Sequence, residues 1–124
     1  MYFSTSLHVY ALNPDGMVKW NVPVERYCRT GISLAEDGTL YYGGDTGIFA
    51  LRSDGSTKWK IDSVKVGGIG FASSPTILPD GAILAGCGYN QLCAVRDEGS
   101  PLAKSGWPKA YHDVGNTNRI IKMF

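Results

Sequence analysis

An eleven-residue phrase occurs twice in this chain, 39 residues apart. Residues 10–20 read YALNPDGMVKW and residues 49–59 read FALRSDGSTKW, and a weaker third copy runs from Cys93 to Trp107. A period of about 40 residues, built from short apolar runs and turn residues, is typical of repeat proteins. The sequence therefore predicts a row of similar β-rich units rather than a single irregular core.

The similarity extends well beyond the phrase. Residues 1–22 align with residues 40–61 without a gap and share seven identities, whereas unrelated segments of this length share about one or two. The preceding part of the unit also repeats, because residues 37–40 match residues 80–83 and Gly43 matches Gly86 at a spacing of 43. One inserted residue near positions 88–91 then raises the spacing to 44.

Residues 31–61 form one complete unit. Apolar and β-branched runs predict strands at 32–34, 39–42, 48–51 and 57–61, separated by a turn at 36–38, a glycine-rich loop at 43–47 and a turn at 53–55. Four short antiparallel strands joined by tight turns make one propeller blade. The predicted fold class is all-β, with about three four-stranded antiparallel blades of the β-propeller type.

The units divide one repeat domain, residues 1–124, into unequal parts. We expect a partial first blade at 1–30, a second at 31–66, a third at 67–107 and a closing tail at 108–124, whose residues 119–124 resemble a strand. Closed propellers use about four to eight blades, and an open arc leaves apolar faces uncovered. We therefore expect self-association into a dimer of about six blades, with the tail of one chain completing the first blade of its partner.

The conserved positions of the phrase have structural roles. The alanine leaves room for a neighbouring side chain, the glycine adopts positive φ in a turn, and the tryptophan packs at the seam between blades with its indole N–H directed at a carbonyl. The predicted blade-docking residues are Ala11, Gly16, Trp20, Ala50, Gly55, Trp59, Ala94, Gly99 and Trp107.

The pattern Ala-Leu-x-x-Asp-Gly-x-x-x-Trp resembles the repeat of the quinoprotein-like β-propellers, the pyrroloquinoline quinone (PQQ) repeat superfamily with its tryptophan-docking motif. Residues 107–119 are similar to a ring-closing segment of its cofactor-free branch, with Tyr111 and Asn118 replacing a phenylalanine and a glycine. The resemblance implies a propeller fold. The superfamily includes PQQ-dependent dehydrogenases and cofactor-free members, such as a lipoprotein scaffold of outer-membrane protein assembly, and its members are commonly extracytoplasmic.

The sequence shows no signature of catalysis. The resemblance would require adjacent cysteines over the quinone in an alcohol dehydrogenase, and the chain has no such pair. His8 and His112 lack the spaced partners of a zinc site, and nucleophile-elbow and phosphate-loop motifs are missing. We expect no enzyme activity, no cofactor and no metal.

The expected function is a non-catalytic binding or scaffold module whose loops bind a protein, peptide or glycan. Arg29, Tyr89, Asn90 and Gln91 are candidate surface determinants in predicted loops. Two alternatives remain open: a C-terminal remnant of a larger repeat protein, and a subunit of a PQQ-dependent oxidoreductase.

Composition restricts the partners. A net charge of +1 predicts no nucleic-acid binding, and no apolar run approaches the roughly 18 residues that span a bilayer. A signal peptide is not recognisable at the N-terminus. Cys87 and Cys93 flank a hairpin that would permit a disulfide, but the odd cysteine count and the missing signal favour three buried free thiols, Cys28 included.

Overall fold

The computed structural model describes residues 1–28, 30–63, 70–71, 73–87 and 91–96. This part of the chain contains β-strands and turns and no α-helix. Its strands are Tyr2–Ser4 (β1), His8–Leu12 (β2), Val18–Pro23 (β3), Ser33–Leu34 (β4), Leu40–Gly44 (β5), Gly47–Leu51 (β6), Thr57–Asp62 (β7), Thr76–Ile77 (β8), Ala82–Cys87 (β9) and Gln91–Arg96 (β10).

The strands form three small antiparallel sheets in chain order. The first sheet contains β1–β3, the second β4–β7 and the third β8–β10. Within each sheet, every strand pairs with the next one along the chain, because short turns return the backbone directly beside itself. The all-β prediction is confirmed, as sheets of three or four strands. The blade boundaries and the closing tail remain predictions, and residues 97–124 lie outside the described part.

The glycine-rich loop predicted at 43–47 is shorter in the structure. Gly43 and Gly44 belong to β5 and Gly47 begins β6, so only Asp45 and Thr46 form the turn. The physical reason is close backbone packing. A Cβ atom on Gly44 would lie 2.7 Å from the carbonyl oxygen of Tyr27, and one on Gly47 would overlap the backbone of β7. These glycines therefore allow neighbouring backbone segments to approach the strands.

The three sheets stack face to face. One apolar cluster joins the first sheet to one face of the second, and it is built around Val9, Leu40, Tyr42, Phe49 and Leu51. The other face of the second sheet packs on the third, in a cluster formed by Ala35, Tyr41, Ile48, Ala50, Phe71, Ile77, Ile83, Ala85 and Cys87. The second sheet is consequently buried on both faces, and its strands β5 and β6 are buried at every residue.

The sequence repeat is also a structural repeat. Phe3 and Tyr10 stack with ring centroids 4.9 Å apart and planes at 5°. Their counterparts 39 residues later, Tyr42 and Phe49, stack at 4.9 Å and 3°. Both sheets also contain a register shift directly after the alanine of the phrase. The same sequence pattern thus builds the same strand pairing twice.

Candidate functional site

Four Asp-Gly turns mark one end of the sheets, which we call the turn end. Their glycines adopt φ between 83° and 88°, a conformation that costs glycine little. In each turn the aspartate side chain accepts a hydrogen bond of 2.8–3.0 Å from the backbone N–H two residues later. The turns are therefore interchangeable parts of the repeat, formed at Gly16, Gly38, Gly55 and Gly81.

Trp20 connects the first sheet to the turn end of the second. Its Nε1–H donates a hydrogen bond of 3.0 Å to the carbonyl oxygen of Ser53. Its ring lies over Gly55, where an added Cβ atom would be 3.1 Å from Cδ2 of the indole. Tyr2 packs beside the ring, with centroids 5.9 Å apart. A side chain at position 55 would therefore crowd the indole, and the φ of 88° at this position also favours glycine.

The alanines of the phrase lie directly across the sheet from the tryptophans. Ala11 pairs with Trp20 and Ala50 pairs with Trp59, and both alanines are fully buried. The rings of Tyr41 and Trp59 meet at 5.7 Å and 45°, nearly the geometry of the equivalent pair in the first sheet. A small residue at this position leaves the aromatic side chains room to tilt over the strand pair.

The remaining docking residues are placed differently. Gly16 is exposed and has no atom within 4 Å of the position of an added Cβ. Ala94 lies on β10, opposite Leu84, and is exposed. Gly99 and Trp107 lie outside the described residues. The structure therefore brings Ala11, Trp20 and Gly55 together in one contact, and it leaves Gly16 uncovered.

The opposite end of the sheets, the loop end, is where connecting segments cross between sheets. The segment 24–28 leaves the first sheet over the β1–β2 hairpin, with Val24 and Cys28 donating backbone hydrogen bonds to the carbonyls of Leu7 and Ser6. It then pairs with the tip of the β5–β6 hairpin through an isolated bridge between Cys28 and Gly44. An equivalent bridge joins Phe71 to Cys87 in the third sheet.

A charged cluster occupies the loop end. The ammonium group of Lys60 bonds the carboxylate of Glu25 on the crossing segment and, at 2.9 Å, that of Asp62 on its own strand. Hydrogen bonds to Glu25 and then Asp62 raise the pKa of Lys60. The same ammonium lies 5.3 Å from the centroid of the Phe49 ring, within cation–π range. The cluster thus places one cationic and two anionic groups at the loop end, where each could form hydrogen bonds to a polar ligand.

Arg26 and Tyr27 project beside this cluster. Arg26 has φ of 61° and is the one non-glycine residue with positive φ in the described ranges. Such strained residues are enriched at binding and active sites. Both side chains are exposed. Of the predicted surface determinants, Arg29, Tyr89 and Asn90 lie outside the described part, while Gln91 begins strand β10 instead of lying in a loop.

Two hydroxyls that bond a strand glycine, from the buried Thr30 and the exposed Ser73, were not anticipated from the sequence. The hydroxyl of Thr30 accepts a hydrogen bond of 2.7 Å from the N–H of Gly43 and donates one of 3.1 Å to its carbonyl oxygen. Ser73 accepts the matching bond, of 2.6 Å, from the N–H of Gly86. The signal was available, since Thr30 and Ser73 are separated by the same 43 residues as the two glycines.

The expectation of three free thiols is wrong for two of them. Cys87 and Cys93 form a disulfide across the β9–β10 hairpin, with Cα atoms 5.9 Å apart, while Cys28 is free. The strand register is the physical reason: Cys93 pairs with Ala85, two residues before Cys87, so both sulfurs project from the same face of the hairpin. Counting cysteines could not reveal this register.

Tyr42 is a further titratable group with a shifted pKa among the described residues. Burial raises the pKa of Tyr42 well above its usual range, with smaller contributions from the charges of Cys28 and Glu25, so its hydroxyl stays protonated. Within the described ranges, no group of three or more His, Cys, Asp and Glu side chains could hold a metal ion. No helix suited to crossing a membrane occurs in the same ranges.

Comparison with known proteins gives the fold alone. No protein-family model matches the chain, and no curated protein matches it. Its structure is similar to that of a protein of unknown function from Bacteroides caccae, with a TM-score of 0.63 and 21% sequence identity. The match covers 82% of this chain and 38% of that one, so the chain spans well under half the length of its structural neighbour.

Proposed function

We propose that this chain is a non-catalytic binding and scaffold module, built from PQQ-like β-propeller repeats and completed by self-association. The observation that carries the proposal is the repeated stacking of the sheets. The first sheet covers the second through Trp20 and its apolar neighbours, and the second covers the third through the equivalent face. An interface that recurs within one chain is well suited to recur between chains.

The ligand surface in this proposal is the loop end. The turn end is nearly constant from sheet to sheet, whereas the loop-end residues differ: Lys60 and Asp62 correspond to Asn21 and Pro23 in the first sheet. Loops that vary on a constant scaffold are where binding specificity usually resides. A charged cluster beside the exposed aromatic ring of Tyr27 fits a protein, peptide or glycan with polar groups.

The solution mass tests self-association. By light scattering, the full chain should have twice the 13.4 kDa of one chain, and a version ending before Arg119 should have the mass of a single chain. The second result follows if the tail of one chain completes the first blade of the other. A full chain that stays monomeric at millimolar concentration would contradict the proposal.

Ligand binding can be assigned to the loop end with a matched pair of variants. Lys60 and Lys58 lie on the same strand with side chains 25% and 27% exposed, and each forms an ion pair. On arrays of oligosaccharides and synthetic peptides, Lys60→Gln should weaken any signal about tenfold, and Lys58→Gln, nearer the turn end, should leave it unchanged. Equal loss in both variants would argue against the loop end.

A second candidate is a segment of a longer repeat protein. The coverage of only 38% of the structural neighbour favours it, because further repeats of the same polypeptide would cover the outer sheets equally well. An antibody raised against this chain distinguishes the two. It should detect a native polypeptide of about this size under the first proposal and a much larger one under the second.

The oxidoreductase alternative has its own test. Adding PQQ and calcium to the purified chain should leave the tryptophan fluorescence unchanged. Quenching that saturates with added quinone would support a PQQ-binding subunit instead.

A further inference from the structure

The outer face of the first sheet is the sequence counterpart of a buried face. Its residues align at a spacing of 39 with the face of the second sheet that lies beneath Trp20. Met1 is 76% exposed where Leu40 is fully buried, and Phe3 is 40% exposed where Tyr42 is 3% exposed. The aligned pairs are Met1 and Leu40, Phe3 and Tyr42, Tyr10 and Phe49, and Leu12 and Leu51. Among the described residues, no sheet covers this face of the first sheet.

Gly16 shows what the missing cover would contribute. It occupies the same turn as Gly55, with φ of 86° against 88°. Gly55 lies under the indole of Trp20, whereas nothing lies within 4 Å of a Cβ placed on Gly16. The carbonyl of Pro14 corresponds to that of Ser53, which accepts the indole N–H. The turn at Gly16 thus has the geometry of the turn at Gly55, which contacts Trp20, and it could accept an indole in the same way.

The third sheet presents the complementary half. Leu84, Leu92 and Ala94 correspond to Tyr41, Ile48 and Ala50, which form the face of the second sheet that packs on its neighbour. Leu92 is 72% exposed, while Ile48 is fully buried. The outer face of the first sheet therefore corresponds to the side of the repeated interface that lies beneath Trp20, and we call it the accepting face. The outer face of the third sheet corresponds to the opposite side of that interface, and we call it the donating face.

We infer that the outer face of the first sheet binds the outer face of the third sheet of a second copy of this chain, which then covers the turn at Gly16. A second copy is the occupant because both halves of the contact are present on one chain, and the intact contact joins its first and second sheets. The two halves differ, so the contact is head to tail. The inference rests on the self-association proposed above and specifies its surfaces.

Three variants test the accepting and donating faces. Gly16→Asn places a side chain on the acceptor while keeping a residue that tolerates positive φ. Leu92→Glu places a charge on the donating face. Gly38→Asn carries the same backbone cost, because its φ is 85°, at a turn whose added Cβ would make only ordinary contact with Ser53.

Sedimentation equilibrium of these variants gives the result. Gly16→Asn and Leu92→Glu should each raise the dimer dissociation constant at least about 30-fold, the effect of one hot-spot residue, with an unchanged circular dichroism spectrum. Gly38→Asn should dimerise like the parent chain. If the first two variants dimerise normally, the assignment of the faces is wrong although self-association stands; a monomeric parent chain would overturn both.

Mixing the two defective variants tests the head-to-tail arrangement. A mixed dimer contains one contact that carries both changes and one contact that carries neither. Equal parts of Gly16→Asn and Leu92→Glu should therefore form dimers at concentrations where each alone is monomeric. A mixture that stays monomeric would overturn the pairing of these two faces, because a self-complementary contact gains nothing from mixing.

Discussion

At the scale of single residues, Trp20 combines a polar and an apolar contact between two sheets. Its ring covers Gly55 and its N–H reaches the carbonyl of Ser53. Trp20→Phe should remove the hydrogen bond and keep most of the ring contact. Because water can reach the released carbonyl, we expect a loss of about 0.5–1 kcal/mol in the free energy of unfolding, measured in urea.

The matched control for this change is Tyr27→Phe, which alters an exposed aromatic residue at the loop end. It should change the free energy of unfolding by less than about 0.5 kcal/mol. Equal effects of the two substitutions would show that the indole N–H contributes nothing specific to the contact.

Asp54 is an exposed carboxyl in the turn between β6 and β7. The hydroxyl of Ser56, its backbone N–H and the charge of Arg52 lower the pKa of this carboxyl below its ordinary value. A carboxyl whose pKa is lower in the folded state stabilises the protein above its unfolded-state pKa of about 4, and that stabilisation is lost as the pH falls through the folded-state value.

In the Asp54→Asn variant, the free energy of unfolding should therefore fall less steeply as the pH is lowered. The amide oxygen can still accept the turn hydrogen bond, but it does not titrate in this range. Urea unfolding at several values between about pH 5 and pH 2 should show a smaller loss for the variant than for the parent chain. Parallel profiles would mean that other carboxylates account for the acid sensitivity.

At the scale of elements, the disulfide fastens the β9–β10 hairpin. The third sheet lacks the stacked aromatic pair of the other two, because Ala85 and Cys93 occupy those positions. Thiol titration of the unfolded chain should give one free thiol per chain before reduction and three afterwards. Since the bridge closes a short loop, its reduction should cost about 2 kcal/mol or less.

Cys28→Ser provides the control, because it removes the free thiol and leaves the bridge intact. Its titration should give no thiol before reduction. Three thiols in the unreduced parent chain would contradict the bridge and support the expectation drawn from the cysteine count.

The strands were predictable because their signals are local. Alternating apolar residues and the Asp-Gly turns placed the four strands of the second sheet to within two residues of their bounds. Gly44 and Gly47 were assigned to a loop because glycine usually marks a turn, yet here it permits contact between segments distant in sequence. The role of Thr30 was missed for the same reason. Sequence spacing identifies a repeat, but it does not show which distant segments contact each other in the folded chain.

At the scale of the whole molecule, the turn end has nearly the same structure in each sheet, whereas the loop end differs from sheet to sheet. At the turn end, the same Asp-Gly turn recurs with the same side-chain hydrogen bond. At the loop end, the side chains differ between sheets, and the charged cluster occurs at the second sheet. The contact of Trp20 with Gly55 joins two residues of the repeated phrase, so the sequence could single them out. The charged cluster of Glu25, Lys60 and Asp62 was not predictable, since it occurs once and joins residues 35 positions apart. In the proposed function, the constant turn end therefore supports the scaffold and the variable loop end binds the ligand.

The open outer faces should make thermal stability depend on protein concentration. If the first sheet is covered only in the dimer, association favours the folded state by mass action. For a chain of 124 residues, Tm should rise by about 2–4 °C for each tenfold increase in concentration. Scanning calorimetry over two such steps measures this, and Gly16→Asn should lose the dependence while Gly38→Asn keeps it. A Tm that does not change with the concentration of the parent chain would mean that its folded state needs no partner, and that the stacked rings of Phe3 and Tyr10 remain partly exposed to water.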